Sequence, residues 1–296
     1  MDGVGVAADG LGLRGPRGWA FRGVDIDAEP ASLIALEGPS GSGRTSLLLA
    51  LTGRMKATEG TAAVGTARLP RQMAAVRRVS ALAHVAGVTD LEPALTVGEH
   101  LRERALLQRR FDGSVRDLLR PRAQREARTT SQIDAALAAA GLDRGSLPKG
   151  AHTAVRDLER IEALRLSVAL ALIGHPRLLG VDDIDLKLTD AERAEVWTLL
   201  RSLAEAGTTV LAVCGGEAPE DAVRVRTDTD PLVRTDTAAG APASQDGVRA
   251  RSEEEPAPTG AGQDDGHAPE TGQGGTDTTT DDEEERAHAH AETGRA

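Results

Sequence analysis

The sequence predicts an α/β fold with a mostly parallel sheet, and three features support that prediction. An apolar run at 33–36 leads through a glycine-rich loop at 38–45 into an apolar helical run at 46–51. Further along, the apolar runs at 178–181 and 208–213 alternate with long helical patterns. Parallel strands need crossover connections, which are usually helices, so this alternation favours a parallel sheet.

The loop after the first apolar run carries a phosphate-binding motif. G-x-x-x-x-G-K-[ST] is matched at every defining position except one, where Arg44 replaces lysine. The glycines let backbone amides surround a polyphosphate, and the following helix N-terminus adds partial positive charge. Arg44 keeps the charge on a wide planar group, and Thr45 offers a hydroxyl to Mg²⁺. The predicted nucleotide-binding residues are Gly38, Pro39, Ser40, Gly41, Ser42, Gly43, Arg44, Thr45 and Ser46. A turn without any ligand is the alternative, which the agreement of strand, loop and helix disfavours.

The first 83 residues alternate short strands with turns. Strands are predicted at 24–27, where polar and apolar residues alternate, and at 32–36, which is almost wholly apolar. Two further strands are predicted at 60–67 and 79–83.

Helical patterns follow. Thr96 and Glu99 have the spacing of a capping box, which predicts a helix from Thr96 to about residue 110. Two shorter helices are predicted at 113–120 and 132–140.

The second half of the folded region returns to strand and helix in turn. A long helix is predicted at 158–173, followed by a buried strand at 178–181. A helix capped by Thr189 is predicted to end at Gly207, and a last strand is predicted at 208–213.

The composition changes at about residue 227. Thr, Asp, Glu, Gly, Ala and Pro dominate from there, so we predict a folded domain at 1–226 and a disordered acidic tail at 227–296. Removing that tail is expected to leave the thermal midpoint nearly unchanged. His288 and His290 form at most a weak metal clip, which we disfavour because no structured frame is predicted around them.

Composition also excludes several function classes. The net charge is −11, which argues against a general nucleic-acid binder, and no nucleic-acid partner is predicted. Cys214 is the sole cysteine, so an internal disulfide is excluded and a reducing compartment is favoured. The sequence contains no apolar run long enough to span a bilayer and no signal-peptide pattern. These features predict a cytosolic protein that reaches a membrane only through a partner.

Several motifs in order resemble those of the ATP-binding-cassette (ABC) ATPases. Residues 158–162 (LERIE) stand in register with the family signature L-S-G-G-[QE]. Residues 175–183 (HPRLLGVDD) resemble D-P-x-L-L-L-L-D-E, and 95–101 (LTVGEHL) resembles L-T-V-x-E-N-L. Together with the phosphate loop, the resemblance covers about residues 3–226.

The resemblance implies the P-loop NTPase fold of that family. Its parts are a mostly parallel sheet, an N-terminal antiparallel β subdomain and a helical insert at about 85–157. It also implies ATP and Mg²⁺ as ligands, with Asp182 and Thr45 holding the metal ion. Asp183 falls at the water-polarising glutamate, one methylene shorter, and His84 falls about where the family keeps a glutamine.

Other positions depart from the family pattern. Glu159, Arg160 and Ile161 replace the signature serine and glycines, which in the family hold the γ-phosphate bound to the partner subunit. The carboxylate of Glu159 would repel that phosphate, whereas Arg160 would pair with it. Gly215 stands at the switch histidine, with Cys214 before it. Because positioning and charge stabilisation supply most of the rate of phosphoryl transfer, these changes predict slow or absent hydrolysis.

The aromatic residue that stacks on adenine in the family is also missing. Its place falls near Gly15, and Trp19 or Phe21 would replace it only if the alignment shifted by several residues.

The resemblance predicts the ATP-binding subunit of an ABC transporter, at the inner face of the cell membrane. Its implied partners are an integral membrane permease-type protein in a separate chain and a second ATP-binding subunit, in a homodimer or a heterodimer. The alternative is a non-catalytic pseudo-ATPase that scaffolds a membrane complex. ABC proteins of translation or DNA repair are disfavoured, because neither a second cassette nor a long insertion is present. A small-molecule kinase would leave 158–183 unexplained. The arginine-rich insert is interpreted as a solvated helical face rather than a docking patch.

Overall fold

The computed structural model describes residues 2–111 and 121–227. In chain order, the strands are β1 (Val6–Gly15), β2 (Gly18–Ala28), β3 (Leu33–Glu37), β4 (Glu59–Val64), β5 (Ala67–Leu69), β6 (Ser80–Ala83), β7 (Leu178–Val181), β8 (Thr209–Cys214) and β9 (Val223–Arg226). The helices are α1 (Arg44–Leu51), α2 (Met73–Val79), α3 (Val97–Phe111), α4 (Arg122–Ala139), α5 (Arg160–Leu172) and α6 (Asp190–Glu205).

A five-stranded parallel sheet forms the centre of the described fold, with strand order β6-β7-β8-β3-β9. Every residue of β3, β6, β7 and β8 is buried, as expected for a parallel sheet covered on both faces. The strands predicted at 32–36, 178–181 and 208–213 are confirmed as β3, β7 and β8. Strand β9 was not predicted from the sequence, although its residues Val-Arg-Val-Arg alternate between apolar and charged.

An antiparallel sheet lies N-terminal to most of the parallel one, in the order β2-β1-β4-β5. It confirms the predicted β subdomain. The strand predicted at 24–27 is the end of the longer β2, and the one predicted at 60–67 is divided between β4 and β5 by a turn. The strand predicted at 79–83 begins one residue later, because Val79 ends α2, a helix that the sequence analysis missed.

The helical insert follows β6. Its two ends run side by side: the amide of Val155 donates to the carbonyl of Leu95 (2.9 Å), and that of Val97 to the carbonyl of Thr153 (3.0 Å). The first predicted insert helix is α3. The helix predicted at 132–140 is the end of α4, which begins ten residues earlier. The helix predicted at 113–120 lies outside the described residues, as does the predicted tail beyond residue 227.

The side chains of β3 explain how the sheet holds two cores. Leu33 and Ala35 belong to a core shared with α3, α4, α5 and α6, whereas Ile34 and Leu36 belong to a core shared with α1 and the antiparallel sheet. Successive strand residues point to opposite faces, so both faces of the sheet are covered. The carboxyl edge of the sheet, where ligands of α/β proteins bind, is left to the loops. Within the described ranges, no helix is long and apolar enough to cross a bilayer.

Candidate functional site

The predicted phosphate loop joins β3 to α1 at the carboxyl edge of the parallel sheet. The amide of Ser42 donates to the carbonyl of Pro39 (3.1 Å), which turns the chain back toward the helix. Gly41 and Gly43 both have φ of 83°, in the left-handed region that favours glycine. Pro39, Ser40 and Gly41 are exposed, so the tip of the loop is open to a ligand.

Two glycines of the loop are required by close packing. A Cβ added at Gly43 would lie 2.1 Å from the carbonyl oxygen of Ala20 in β2, and one at Gly38 would lie 2.5 Å from the hydroxyl of Ser42. Gly41 differs, because a Cβ there would meet nothing within 4 Å. The loop is therefore wedged against the antiparallel sheet at its base and free at its tip.

Arg44 is the first residue of α1, and its half-buried guanidinium reaches across to β8. Its Nη1 donates a hydrogen bond to the carbonyl oxygen of Cys214, the last residue of that strand. The cation of the predicted motif thus lies beside the loop and is held by protein backbone.

The threonine of the motif meets the aspartate after β7. The hydroxyl of Thr45 donates to Oδ2 of Asp182 (2.8 Å), and the amide of Asp183 donates to Oδ1 (3.0 Å). Asp182 is only 3% exposed. Burial raises its carboxyl pKa, the Thr45 hydrogen bond opposes that rise, and the charge of Asp183 adds to it. A hydroxyl and a buried carboxylate in contact are oxygen ligands of the kind that Mg²⁺ prefers.

Asp183 and His84 lie at the same edge of the site. Both adopt left-handed backbone conformations, with φ of 44° and 55°. The amide of His84 donates to Oγ of Ser167 in α5 (2.7 Å), which ties the start of the insert to that helix. Burial lowers the pKa of His84, and the carboxylate of Asp183 opposes that shift. The two predicted residues are thus electrostatic neighbours.

The altered signature forms the start of α5. Glu159 occupies the N-cap position, and its amide donates to the carboxylate of Glu162 (2.8 Å). Glu159 and Arg160 are exposed, whereas Ile161 is 7% exposed and packs in the helical core. The family's glycine position therefore holds a core side chain here, and two opposite charges lie on the surface.

Neither of the two candidate aromatic residues, Trp19 and Phe21, has an unobstructed ring that could stack on adenine. Phe21 is 1% exposed and belongs to the core. The ring of Trp19 lies under the guanidinium groups of Arg14 and Arg22, at 5.6 and 4.6 Å from its centroid. Such cation–π contacts occupy the ring with protein groups.

Thr227 supports the phosphate loop from behind, a contact that sequence reasoning missed. Its hydroxyl is hydrogen-bonded to that of Ser42 (2.6 Å), and its amide donates to the carbonyl of Glu37 (2.9 Å). Ser42 and Thr227 are both fully buried. The described fold therefore includes Thr227, one residue past the predicted boundary at 226.

The substitution Thr227→Val should lower the free energy of unfolding by about 1–3 kcal/mol, because it leaves the buried Ser42 hydroxyl without its partner. Removing residues 231–296 while keeping Thr227 should leave the thermal midpoint nearly unchanged. Thermal unfolding of both variants checks the pair, and a midpoint that falls in the truncated chain but not in Thr227→Val would contradict this account.

Asp185 is a second residue that sequence reasoning missed. Its Oδ2 accepts the amides of Gly215 and Gly216, both at 2.8 Å. The available signal was a run of three carboxylates just after β7, at positions 182, 183 and 185. Its partners lie 30 residues away, so only the fold reveals them.

These elements define a class of protein. A glycine loop between a buried parallel strand and a helix, with a buried aspartate on the helix's threonine hydroxyl, is the arrangement of P-loop nucleotide-binding proteins. A family model described as ABC transporter matches residues 21–184, more than half of the chain. The chain belongs to the ABC transporter family and carries its ATP-binding cassette.

Relatives in the family agree with this assignment. The chain is 30% identical over 191 residues to Nod factor export ATP-binding protein I of Cupriavidus metallidurans, covering 64% of this chain and 55% of that protein. It is also 30% identical over 191 residues to the ABC transporter ATP-binding/permease protein Rv1747 of Mycobacterium tuberculosis, covering 64% of this chain and 20% of that protein. The chain thus spans about half or less of the length of these relatives.

Solved structures show the same fold. CbiO1 of Clostridium perfringens, part of the ABC transporter complex cbiONQ, aligns with a TM-score of 0.57 and 17% identity, covering 71% of this chain and 78% of that one. The dimeric ATP-binding cassette MJ0796 bound to ADP and Pi aligns with a TM-score of 0.54 and 21% identity, covering 71% and 88%.

Proposed function

We propose that this chain binds Mg-ATP at the phosphate loop as the ATP-binding subunit of a transporter, is coupled to a membrane protein in a separate chain, and hydrolyses ATP slowly or not at all. The observation that carries the binding half is the 2.8 Å contact between the Thr45 hydroxyl and the buried Asp182 carboxylate, beneath a loop with an exposed tip. The tip amides and the N-terminus of α1 would hold the phosphates. Thr45 and Asp182 would hold magnesium, which would screen the charge of the phosphates.

We expect slow hydrolysis because of the residues around Thr45 and Asp182. Asp183 has a shorter side chain than glutamate, and Gly215 provides no side chain to contact a γ-phosphate. At the start of α5, the exposed carboxylate of Glu159 would face a phosphate across an interface between two such chains. Each change weakens water positioning or charge stabilisation, the two main sources of rate in phosphoryl transfer.

Phosphate release by the full chain should stay below about 1 s⁻¹, the low end for ordinary enzymes. The matched control is Asp183→Asn, which removes the carboxylate without changing the shape of the side chain. A turnover at or above that rate in the unaltered chain, lost in Asp183→Asn, would show a working ATPase and refute the catalytic half of the proposal.

A non-catalytic scaffold is the second candidate, and the position of Glu159 favours it. The carboxylate of Glu159 lies at the N-cap of α5, the partly positive end of that helix. It therefore occupies the place where a phosphate bound to a second subunit would otherwise lie. A homodimer closed on two ATP molecules is then disfavoured, and a partner subunit with an intact signature is the better match.

For the membrane partner, we propose a groove between β6, α3 and α5 as the contact surface. Its volume is about 1280 Å³. Val88 and Leu107 line it and are 53% and 41% exposed, so the groove presents apolar side chains to a partner. Burial and the charge of Arg77 lower the pKa of Arg54 in its wall. The occupant we propose is a short cytoplasmic segment of the membrane protein with an apolar face.

Leu107→Asp should reduce the fraction of the chain that sediments with membranes of its host at least tenfold, because it places a charge in the apolar contact. Leu106→Asp is the matched control: Leu106 is adjacent on α3 and 58% exposed, but it does not line the groove. Vesicles made from the extracted lipids alone should bind neither form. Equal losses in both variants, or binding to the protein-free vesicles, would contradict a protein partner in this groove.

A further inference from the structure

The segment that follows β8 is held from two sides. On one side, the guanidinium of Arg44 donates to the carbonyl oxygen of Cys214. On the other, the carboxylate of Asp185 accepts the amides of Gly215 and Gly216, both at 2.8 Å. We call residues 214–216 the exit segment.

The two charged groups both lie close to Gly215. A Cβ at this position would lie 3.4 Å from Nη1 of Arg44 and 3.5 Å from Oδ2 of Asp185. These are ordinary van der Waals distances, so both charged groups lie in contact range of this one position. With glycine there, the cation and the carboxylate flank one residue and stabilise each other's hydrogen bonds to its neighbours.

The chain next to Asp185 is hydrogen-bonded to β8. The amide of Ile184 donates to the carbonyl of Val213 (3.1 Å), so the chain beside Asp185 is anchored to β8. Asp182, which contacts Thr45, lies three residues before Asp185. A few residues therefore connect the exit segment to Asp182. Asp182 in turn contacts Thr45 at the end of the phosphate loop.

Arg44 has two competing partners. It stands at the cation position of the phosphate loop, but its Nη1 is engaged by a neutral backbone carbonyl. A phosphate oxygen accepts a charge-assisted bond from guanidinium, roughly twice as strong as a bond to a neutral group. A triphosphate in the loop would draw Arg44 away, leaving the Asp185 contacts on Gly215 and Gly216 and the pairing of Cys214 with Glu37 in the sheet.

We propose that Arg44 and Asp185 form a clamp on the exit segment, and that a triphosphate in the loop opens its Arg44 side. Asp185 is thus a positioning residue of this site. This inference rests on the proposed nucleotide binding, but the Asp185 half of the clamp exists without a nucleotide. The clamp gives this chain a nucleotide-dependent switch at the position where Gly215 provides no side chain to contact phosphate.

Cys214 is a built-in reporter of the clamp, since it is the sole cysteine of the chain. Its thiol is 1% exposed in the clamped state, and burial, followed by the charges of Glu37 and Asp185, raises its pKa to about 12. A thiol in this state reacts slowly with disulfide reagents, because the thiolate is the nucleophile and access is blocked. Release of the segment should therefore speed its labelling.

The test is the rate of Cys214 labelling by 4,4′-dithiodipyridine in the full chain, with and without Mg-ATP. We expect Mg-ATP to raise the rate about tenfold, the population change produced by losing one hydrogen bond of typical strength. Asp185→Ala should raise the rate by a similar factor without nucleotide, and by more than Asp185→Asn, which removes the same charge from near the thiol but keeps an oxygen that accepts an amide. Equal rates in these two variants would overturn the clamp. Asp190→Ala, an exposed carboxylate nearby, should leave it unchanged.

A second measurement separates a clamp from simple loosening of the fold. If the clamp competes with phosphate for Arg44, Asp185→Ala should bind Mg-ATP several-fold more tightly in calorimetry, because opening costs less. A general loss of structure would weaken binding and lower the thermal midpoint instead. An unchanged labelling rate in Asp185→Ala, or in wild type with Mg-ATP shown to be bound, would overturn the clamp. Failure of Mg-ATP to bind at all would refute the proposed function, while the nucleotide-free rates of Asp185→Ala and wild type would still decide the Asp185 contact.

Discussion

Gly43→Ala should lower the free energy of unfolding by about 3 kcal/mol or more. Its added Cβ would lie 2.1 Å from the carbonyl oxygen of Ala20, so either the start of α1 or strand β2 must move. The left-handed φ of 83° adds strain of about 1–2 kcal/mol for any residue with a Cβ. The two effects act on the base of the phosphate loop, so nucleotide binding should be lost as well. Urea unfolding gives the free energy directly.

Gly41→Ala is the matched control for this prediction. Gly41 has the same φ of 83°, but a Cβ there would meet nothing within 4 Å. It should therefore cost only the conformational strain of about 1–2 kcal/mol. Equal losses from the two substitutions would mean that the loop is not wedged against β2.

Asp182→Asn should abolish Mg²⁺-dependent nucleotide binding while raising the thermal midpoint by a few degrees. The amide has the shape of the carboxylate and can still pair with the Thr45 hydroxyl and the Asp183 amide. It removes a buried charge, whose desolvation is the main reason that the pKa of Asp182 is raised. A gain of about 1 kcal/mol corresponds to about 2–4 °C in a domain of this size.

The raised pKa of Asp182 also determines how the folding stability and the binding of Mg-nucleotide depend on pH. The folded chain without metal holds the Asp182 proton more tightly than the unfolded chain does. The stability that this proton contributes is therefore present at low pH and is lost as pH rises through the folded pKa. A metal ion needs the carboxylate, so Mg-nucleotide binding should release a proton and strengthen with rising pH over the same range. Nucleotide affinity that is independent of both pH and Asp182→Asn would contradict the magnesium pocket.

The parts of the candidate site that could be predicted are those formed by residues close together in the sequence. The loop between Gly38 and Thr45 must follow a strand and begin a helix, so its motif and its neighbours predict each other. Asp182 was found in the same way, because it ends a short apolar run. Strands buried on both faces are apolar throughout, which is why β3, β7 and β8 were predicted closely.

Contacts between distant segments carried no such local signal. Asp185 acts on amides that lie 30 residues later, and Thr227 closes a contact to Ser42 over 185 residues. Strand β9 is only four residues long, so its alternation of valine with arginine is too short to indicate a strand by itself. Its place at the sheet edge beside β3 gives it a buried face that composition does not show.

The first measurement to make is calorimetry of Mg-ATP with the full chain, beside Thr45→Val. We expect a dissociation constant on the order of micromolar, which requires Mg²⁺ and increases at least tenfold when the Thr45 hydroxyl is removed. The absence of binding by the folded, unaltered chain at millimolar Mg-ATP, or equal affinity in the folded Thr45→Val variant, would contradict this prediction.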